Sequence, residues 1–376
     1  MRSVWVVPIG VLLMVLAGCT AGETASPAPT PPLVDAPALP AVAPVCETEL
    51  SVPWQEALSE GGLEWDGAPG RVLTVAPDGS LLVRVEVPQV RNELWWHPPD
   101  GEPVLVHDLG FEWPNLGASG TATDGRYVAY ALTQGNHATA YALYVWDSQG
   151  GGAPVPLYEG GPEDPVVLYS PVVHGGQVYW AHRPDGASTA TLHRYQVADG
   201  ANDDLHTGDL GQPERIGELL IWPEWTDRGK EPDYRAIDLA TGAPTEPPGP
   251  LADGATRVRK LAGDTGVLTW TSGSTPERLW VWRADWDAPA QILVDEEESG
   301  IGYPSVTTGL VAWQQGRVYL LDQRTGGYAP LTEEEYGSVE LFGPWLLLEY
   351  PSPDKFQPGE QVLVDTRTLP PLPGCG

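Results

Sequence analysis

Lysine is nearly missing from this chain: Lys230, Lys260 and Lys355 are the only three among 376 residues, against 51 aspartates and glutamates. The formal charge is -31, which argues against nucleic acid and anionic lipid surfaces as partners recognised through charge. Cysteine is sparse too, at three residues, too few for a disulfide-dense scaffold or a four-cysteine zinc site. Helix signals are almost absent; the one candidate is PWQEALSE at 53–60, with Pro53 placed for a first turn. No segment matches GxSxG, HExxH, GxGxxG, a Walker loop or a zinc-type CxxC pair. The chemistries that announce themselves by such motifs therefore have no anchor here, and no cofactor is expected.

What the chain does contain is a repeat. Gly79, Gly125, Gly175, Gly217, Gly266, Gly309 and Gly343 each lead into a short apolar strand, at a mean spacing of 44 residues. Examples are APDGSLLVRV, TDGRYVAY, DTGVLTW and TTGLVAW. Glycine supplies the positive φ that a tight hairpin demands, and the β-branched and aromatic residues that follow suit a packed strand. A second strand in each unit ends in a polar turn, with Asp238, Asp322 and Asp365 at one equivalent place and Asp147 as a fourth. An aspartate there can accept from a backbone N–H two residues on, which makes these residues turn formers and not catalysts. A repeat of this length built only from strands predicts an all-β fold, a β-propeller of seven four-stranded blades. The fourth and seventh units diverge most, and residues 41–65 could lend a strand to the last blade, so six or eight blades stay open.

Sixteen tryptophans invite a carbohydrate-binding reading. Tyr130, Trp180, Trp222, Trp270 and Trp313, however, fall at the same strand end in successive units, and a residue recurring once per blade is expected to pack between blades. Trp113 and Trp225 lie outside that register, in expected loops, and are better suited to a surface role.

The first residues read as a targeting segment. Arg2 precedes a 13-residue apolar run, Val4 to Leu16, too short to span a bilayer and followed by small residues. The tetrad Leu16-Ala17-Gly18-Cys19 resembles a bacterial lipobox, which implies a signal peptide over 1–18 and a lipidated Cys19. Residues 19–45, rich in proline, alanine and threonine, are expected to form an extended tether, and 46–376 the propeller domain. The remaining cysteines, Cys46 and Cys375, bracket the repeats. In an exported chain whose first and last blades meet, they are expected to form a disulfide that closes the ring, with two free thiols or a metal pair as the alternative.

Propellers bind ligands over the mouth of the central channel. The loops expected there carry Trp113, His137, His182, Arg183, Trp225, Arg228, Lys230 and Lys355, a polar set with several cations that suits an acidic group or a protein segment. His174, His182 and His193 lie close in sequence, but their places in the unit predict that they do not converge, and no metal site is expected. The acidic runs Asp295 to Glu298 and Glu333 to Glu335 read as solvated loops, with calcium as the alternative.

The segments APDGSLLV and TDGRYVAY resemble the blade motif of TolB-like β-propeller proteins. The DxxTG turns at Asp238–Gly242 and Asp322–Gly326 are similar to those of other bacterial propellers, quinoprotein-like ones included. The resemblance spans about residues 66–374 and implies the fold, while no partner or cofactor site transfers with it. TolB has an α/β domain before six blades, whereas here a tether precedes seven units. The expectation is therefore a monomeric, lipid-anchored binding or scaffolding module on the extracytoplasmic face of the cell membrane. Its expected partners are the membrane, through the anchor, and an envelope protein or glycan. The alternative is an extracytoplasmic hydrolase or lyase acting on carbohydrate or lactone in the propeller channel.

Overall fold

The computed structural model describes residues 45–63, 65, 70–87, 90–110, 116–134, 139–160, 166–227, 231–252, 258–273, 277–292, 300–307, 309–332, 337–351 and 359–375. The anticipated signal segment, lipidated Cys19 and all of the tether except Val45 lie outside these residues, as do both acidic runs.

The fold is a seven-bladed propeller. Blade 1 runs from Gly70–Val75 to Val104–Asp108, blade 2 from Leu116–Thr123 to Val155–Glu159, and blade 3 from Val172–His174 to Ala201–Gly208. Blade 4 runs from Glu214–Ile216 to Pro244–Thr245, blade 5 from Val258–Asp264 to Ala290–Ile292, and blade 6 from Ser305–Thr307 to Gly327–Pro330. Blade 7 has three strands, Ser338–Phe342, Trp345–Glu349 and Gln361–Asp365. Strands within a blade are antiparallel neighbours in sequence, and the first strands of successive blades adjoin around the central channel. A short strand, Val166–Leu168, pairs with both Thr139–Asp147 and Gln177–Pro184 and so knits blades 2 and 3 into one sheet.

All seven turn glycines adopt positive φ, from 56° to 100°. At Gly79 the need is doubled, because a Cβ there would come 2.7 Å from the Trp345 ring of blade 7. The turn aspartates act as expected. Asp147, Asp322 and Asp365 each accept from the backbone N–H two residues on, at 2.9–3.0 Å, and Asp238 accepts from Thr241 at 2.8 Å.

The aromatic register is a packing device. Tyr130, Trp180, Trp222, Trp270 and Trp313 are at most 4% exposed. They sit in apolar seams such as that of Leu82, Leu94 and Trp96 in blade 1 with Val128, Tyr130 and Trp146 in blade 2.

Closure differs in detail from the expectation. Cys46 and Cys375 are bonded, with Cα atoms 5.7 Å apart, but they lie at the outer edge of blade 6, where Cys46–Glu47 pairs in parallel with Gly327–Pro330. Blade 7 is completed elsewhere. Gly62 bridges Val362, and Leu63 and Gln361, then Leu363 and Gly61, exchange backbone bonds of 2.9 Å. Helix Val52–Glu60 sits just before this segment, with Trp54 buried and its indole N–H donating to the Pro370 carbonyl at 2.9 Å. Blade 7 then meets blade 1 through the Gln361 side chain, which accepts from the Val72 N–H at 2.8 Å, and through Arg71–Glu349 at 3.1 Å. The disulfide therefore clamps the two chain ends against blade 6, while the amino-terminal segment fills out blade 7.

Candidate functional site

Among the residues expected at the mouth, Trp113, His137, Arg228, Lys230 and Lys355 lie outside the described residues. His182, Arg183 and Trp225 are described, and two of them come together. Arg183, at the end of the second strand of blade 3, and Trp225, just beyond the second strand of blade 4, line one cavity of about 540 Å³ over blades 3 to 5. Trp225 is held there by its backbone N–H, which donates to the Asp209 carbonyl at 3.0 Å, beside the Leu210–Glu224 bridge. Gly211 gives the indole room, since a Cβ on it would approach the Trp225 ring to 3.1 Å and Pro223 to 2.6 Å. Tyr169, Tyr234 and Tyr303 extend the aromatic wall, and Arg259 adds a second guanidinium.

Those two guanidinium groups are among four that have no ion pair among the described residues. Ten of the fourteen described arginines hold a carboxylate within 4 Å. Among the described residues, Arg183 and Arg259 make no ion pair or hydrogen bond, in company with Arg278 and Arg317. The same cavity is lined by two acids, Asp209 and Glu214, so on a chain of such negative charge its lining is balanced in formal charge.

A second cavity of about 440 Å³ lies in the channel below, lined by the first strands of blades 4 to 7. The two share Glu214, Leu261 and Tyr303. Glu214 opens the inner strand of blade 4, and Glu340 faces the same cavity from the inner strand of blade 7. Neither carboxyl has a hydrogen-bonding or ionic partner among the described residues. Burial, with nothing to offset it, pushes the Glu214 carboxyl up to about 8. Glu340 is exposed to the channel, and the surrounding protein raises its pKa against the pull of Arg71 and with the push of Glu349.

His182 does something else. Its Nδ1 lies 2.8 Å from His193 Nε2, and His193 Nδ1 lies 2.7 Å from Asp204 Oδ1. The two imidazoles are stacked within 9° of parallel, and Tyr158 and Trp180 cover their outer faces. The expectation that His174, His182 and His193 stay apart is corrected for this pair. Trp180 and His193 are cross-strand partners, so His182, two residues along the same face, meets His193 diagonally. His174 instead contacts Glu218 at 3.1 Å. Burial lowers the pKa of both His182 and His193, which keeps them neutral at pH 7. Among the described residues no three His, Cys, Asp or Glu side chains converge as a metal would need.

Sequence reasoning missed Glu214, Glu340 and Arg259. Each lies on an innermost strand, and which residues of that strand face the channel depends on blade register. Periodicity fixes where a strand falls, but not which of its residues turns inward.

No protein-family model matches the chain, and no curated protein sequence matches it. Solved structures share the fold. The β-propeller domain of the Trilobed protease from Pyrococcus furiosus, described as having an open velcro topology, superposes with a TM-score of 0.53 at 9% identity, over 79% of this chain and 93% of that one. A puromycin-hydrolyzing peptidase of Mycobacterium tuberculosis gives 0.51 at 17% identity, over 80% of this chain and 52% of its own. An oligogalacturonate lyase from Vibrio parahaemolyticus gives 0.50 at 10%, over 81% and 92%. This chain spans only 40% of a matched prolyl endopeptidase. At these identities the likeness is one of fold, to peptidase propeller domains and to an oligogalacturonate lyase alike.

Proposed function

We propose that this protein is an exported, lipid-anchored, TolB-like propeller that acts as a binding module at the cell envelope and takes an anionic ligand at the cavity over blades 3 to 5. The observation that carries this reading is the pair of free guanidiniums, Arg183 and Arg259, beside Trp225. Arg183 is half-buried and Arg259 exposed, and with no ion pair among the described residues both are open to an anion, while an indole face supplies a flat apolar contact for its carrier. The anchor rests on Cys19 and its lipobox, and the tether carries the propeller away from the lipid.

The test uses the soluble fragment from residue 45, immobilised and offered acidic and neutral envelope glycans. Acidic material should be retained in a salt-sensitive way, and the double variant Arg183→Ala/Arg259→Ala should release it. Equal retention by the variant, or a preference for neutral glycans, overturns the binding site. In cells, Cys19→Ser should abolish incorporation of labelled palmitate; continued labelling overturns the anchor.

A second reading, an enzyme acting on carbohydrate, draws on Glu214 and Glu340 lining one cavity, since paired carboxyls are the working groups of glycoside cleavage. The binding reading is preferred because both carboxyls are shifted upward, whereas acid–base chemistry wants their pKa values pushed apart.

A further inference from the structure

The two cavities differ in the groups they leave without a partner among the described residues. The upper one is rimmed by Arg183 and Arg259, neither with a carboxylate among the described residues. Its remaining acid on that rim, Asp209, is engaged. The lower one has Glu214 and Glu340, neither with a cation bound to it among the described residues. The one arginine on its wall, Arg215, is spent on the Gly217 carbonyl at 2.9 Å and on Glu218 at 3.8 Å. Arg71, the cation nearest in effect to Glu340, already holds Glu349. Glu214, Leu261 and Tyr303 line both cavities, so the two adjoin. Their walls mix apolar and aromatic side chains, Trp225, Tyr303, Leu261 and Phe342 among them, with neutral polar ones such as Gln212, Ser305 and Gln314.

Most of the described arginines are paired, whereas Arg183 and Arg259 at one cavity, and Glu214 and Glu340 at the cavity adjoining it, have no ion pair among the described residues. We propose that the adjoining cavities bind a dipolar ligand, one that carries an anionic group for Arg183 and Arg259 and, at its other end, a protonated amine for Glu214, with Glu340 lining the same cavity. Zwitterionic organic molecules and the free amino ends of acidic peptides belong to this class. The inference rests on the anionic-ligand reading of the upper cavity and adds the second pole.

An amine suits the floor better than a metal ion does. A hard cation requires several oxygens in one coordination sphere, and the described residues bring no three acidic or imidazole groups together. An ammonium needs one carboxylate and tolerates tyrosine and phenylalanine faces around it. The groups facing Glu214 from the surrounding blades are Arg183, Asp209, Arg215, Arg259, Glu340 and the tyrosines at 169, 234 and 303. None of them offsets its burial. Without ligand Glu214 carries a proton at neutral pH; an arriving ammonium replaces that proton, which leaves to solvent. Affinity for the amine should therefore climb as pH rises from about 6 to about 8, and binding at pH 7 should release protons.

The experiment titrates the soluble fragment with linear amino acids of increasing length, aminobutyrate, aminohexanoate and aminooctanoate, each with amine and carboxylate at opposite ends. Hexanoate and hexylamine serve as single-pole controls, and Trp225 fluorescence and calorimetry are the readouts. One member of the series should bind about tenfold or more tighter than either control. Glu214→Gln should reduce it to the level of hexanoate, and Arg183→Ala/Arg259→Ala to the level of hexylamine. Glu214→Gln keeps the shape of the site, and unchanged melting of each variant shows that the fold is intact. If hexanoate binds as tightly as the amino acids and Glu214→Gln changes nothing, the dipolar inference is overturned while the anionic reading stands. If no probe at tens of millimolar depends on the two arginines, both are overturned.

Discussion

At the scale of single residues, the contrast between Asp322 and its counterparts shows how context sets the worth of a repeated position. Asp322 is fully buried. It accepts from the Arg324 backbone at 2.9 Å, from the Arg324 guanidinium at 2.6 Å and 2.9 Å, and from the Leu372 backbone at 3.1 Å. Asp365 makes the same turn and the same arginine pair near solvent. Removing the buried carboxylate leaves two backbone donors unpaired, while water takes over the half-exposed Arg324, so Asp322→Ala should cost about 2 to 4 kcal/mol by denaturant unfolding. Asp365→Ala should cost about 1 kcal/mol, because water takes over its bonds. Equal losses would show that burial does not govern these turns. The turn role of both residues was legible in DxxT-type sequence; the reach of Asp322 to the carboxy-terminal tail, fifty residues on, was not, because it depends on how that tail folds back.

At the scale of elements, blade 3 carries a titratable pair inside its sheet. His182 and His193 meet across neighbouring strands and are held neutral by burial. With folded pKa values below the ordinary imidazole value of about 6.5, protons favour the unfolded chain, and stability should fall as pH drops below that value. His182→Gln should flatten this acid loss in melting curves taken at pH 7 and pH 5; an unaltered slope would place the acid sensitivity elsewhere. The strands themselves were readable from seven glycine turns and the aromatic register. What stayed hidden was lateral placement. The Val166–Leu168 strand joins two blades, and the channel-facing positions of Glu214 and Glu340 follow from the rotation of each blade about the axis, which a local pattern does not encode.

For the molecule as a whole, the disulfide is one of several ties on the chain ends. Cys46 and Cys375 are 329 residues apart in sequence, and the chain-entropy model assigns such a loop about 6 kcal/mol as an upper figure. The double variant Cys46→Ala/Cys375→Ala should remain folded, with a lower melting temperature, because helix Val52–Glu60 and the Gly61–Leu63 segment still complete blade 7. Loss of the folded state in that variant would make the clamp, and not blade completion, the essential closure. Blade number and the cysteine partners were legible because both depend on counting along the chain; the site of closure was not, since it depends on which outer edge the first residues choose.

That choice has a consequence for the order of events as the protein is made. The helix and the Gly61–Leu63 segment emerge early, yet their seat on Gln361–Asp365 is among the last parts of the chain to be synthesised. Until then Trp54 and Leu58 lack Val362, Val364 and Leu372 of their cluster, and every partial chain, however many blades it holds, is an open arc with two raw flanks. Completion is an all-at-the-end event, in which the oldest and youngest segments find each other. A chain stopped short of Val362 lacks more than one strand: it also leaves Gly61–Leu63 without a partner strand and takes part of the packing from Trp54 and Leu58.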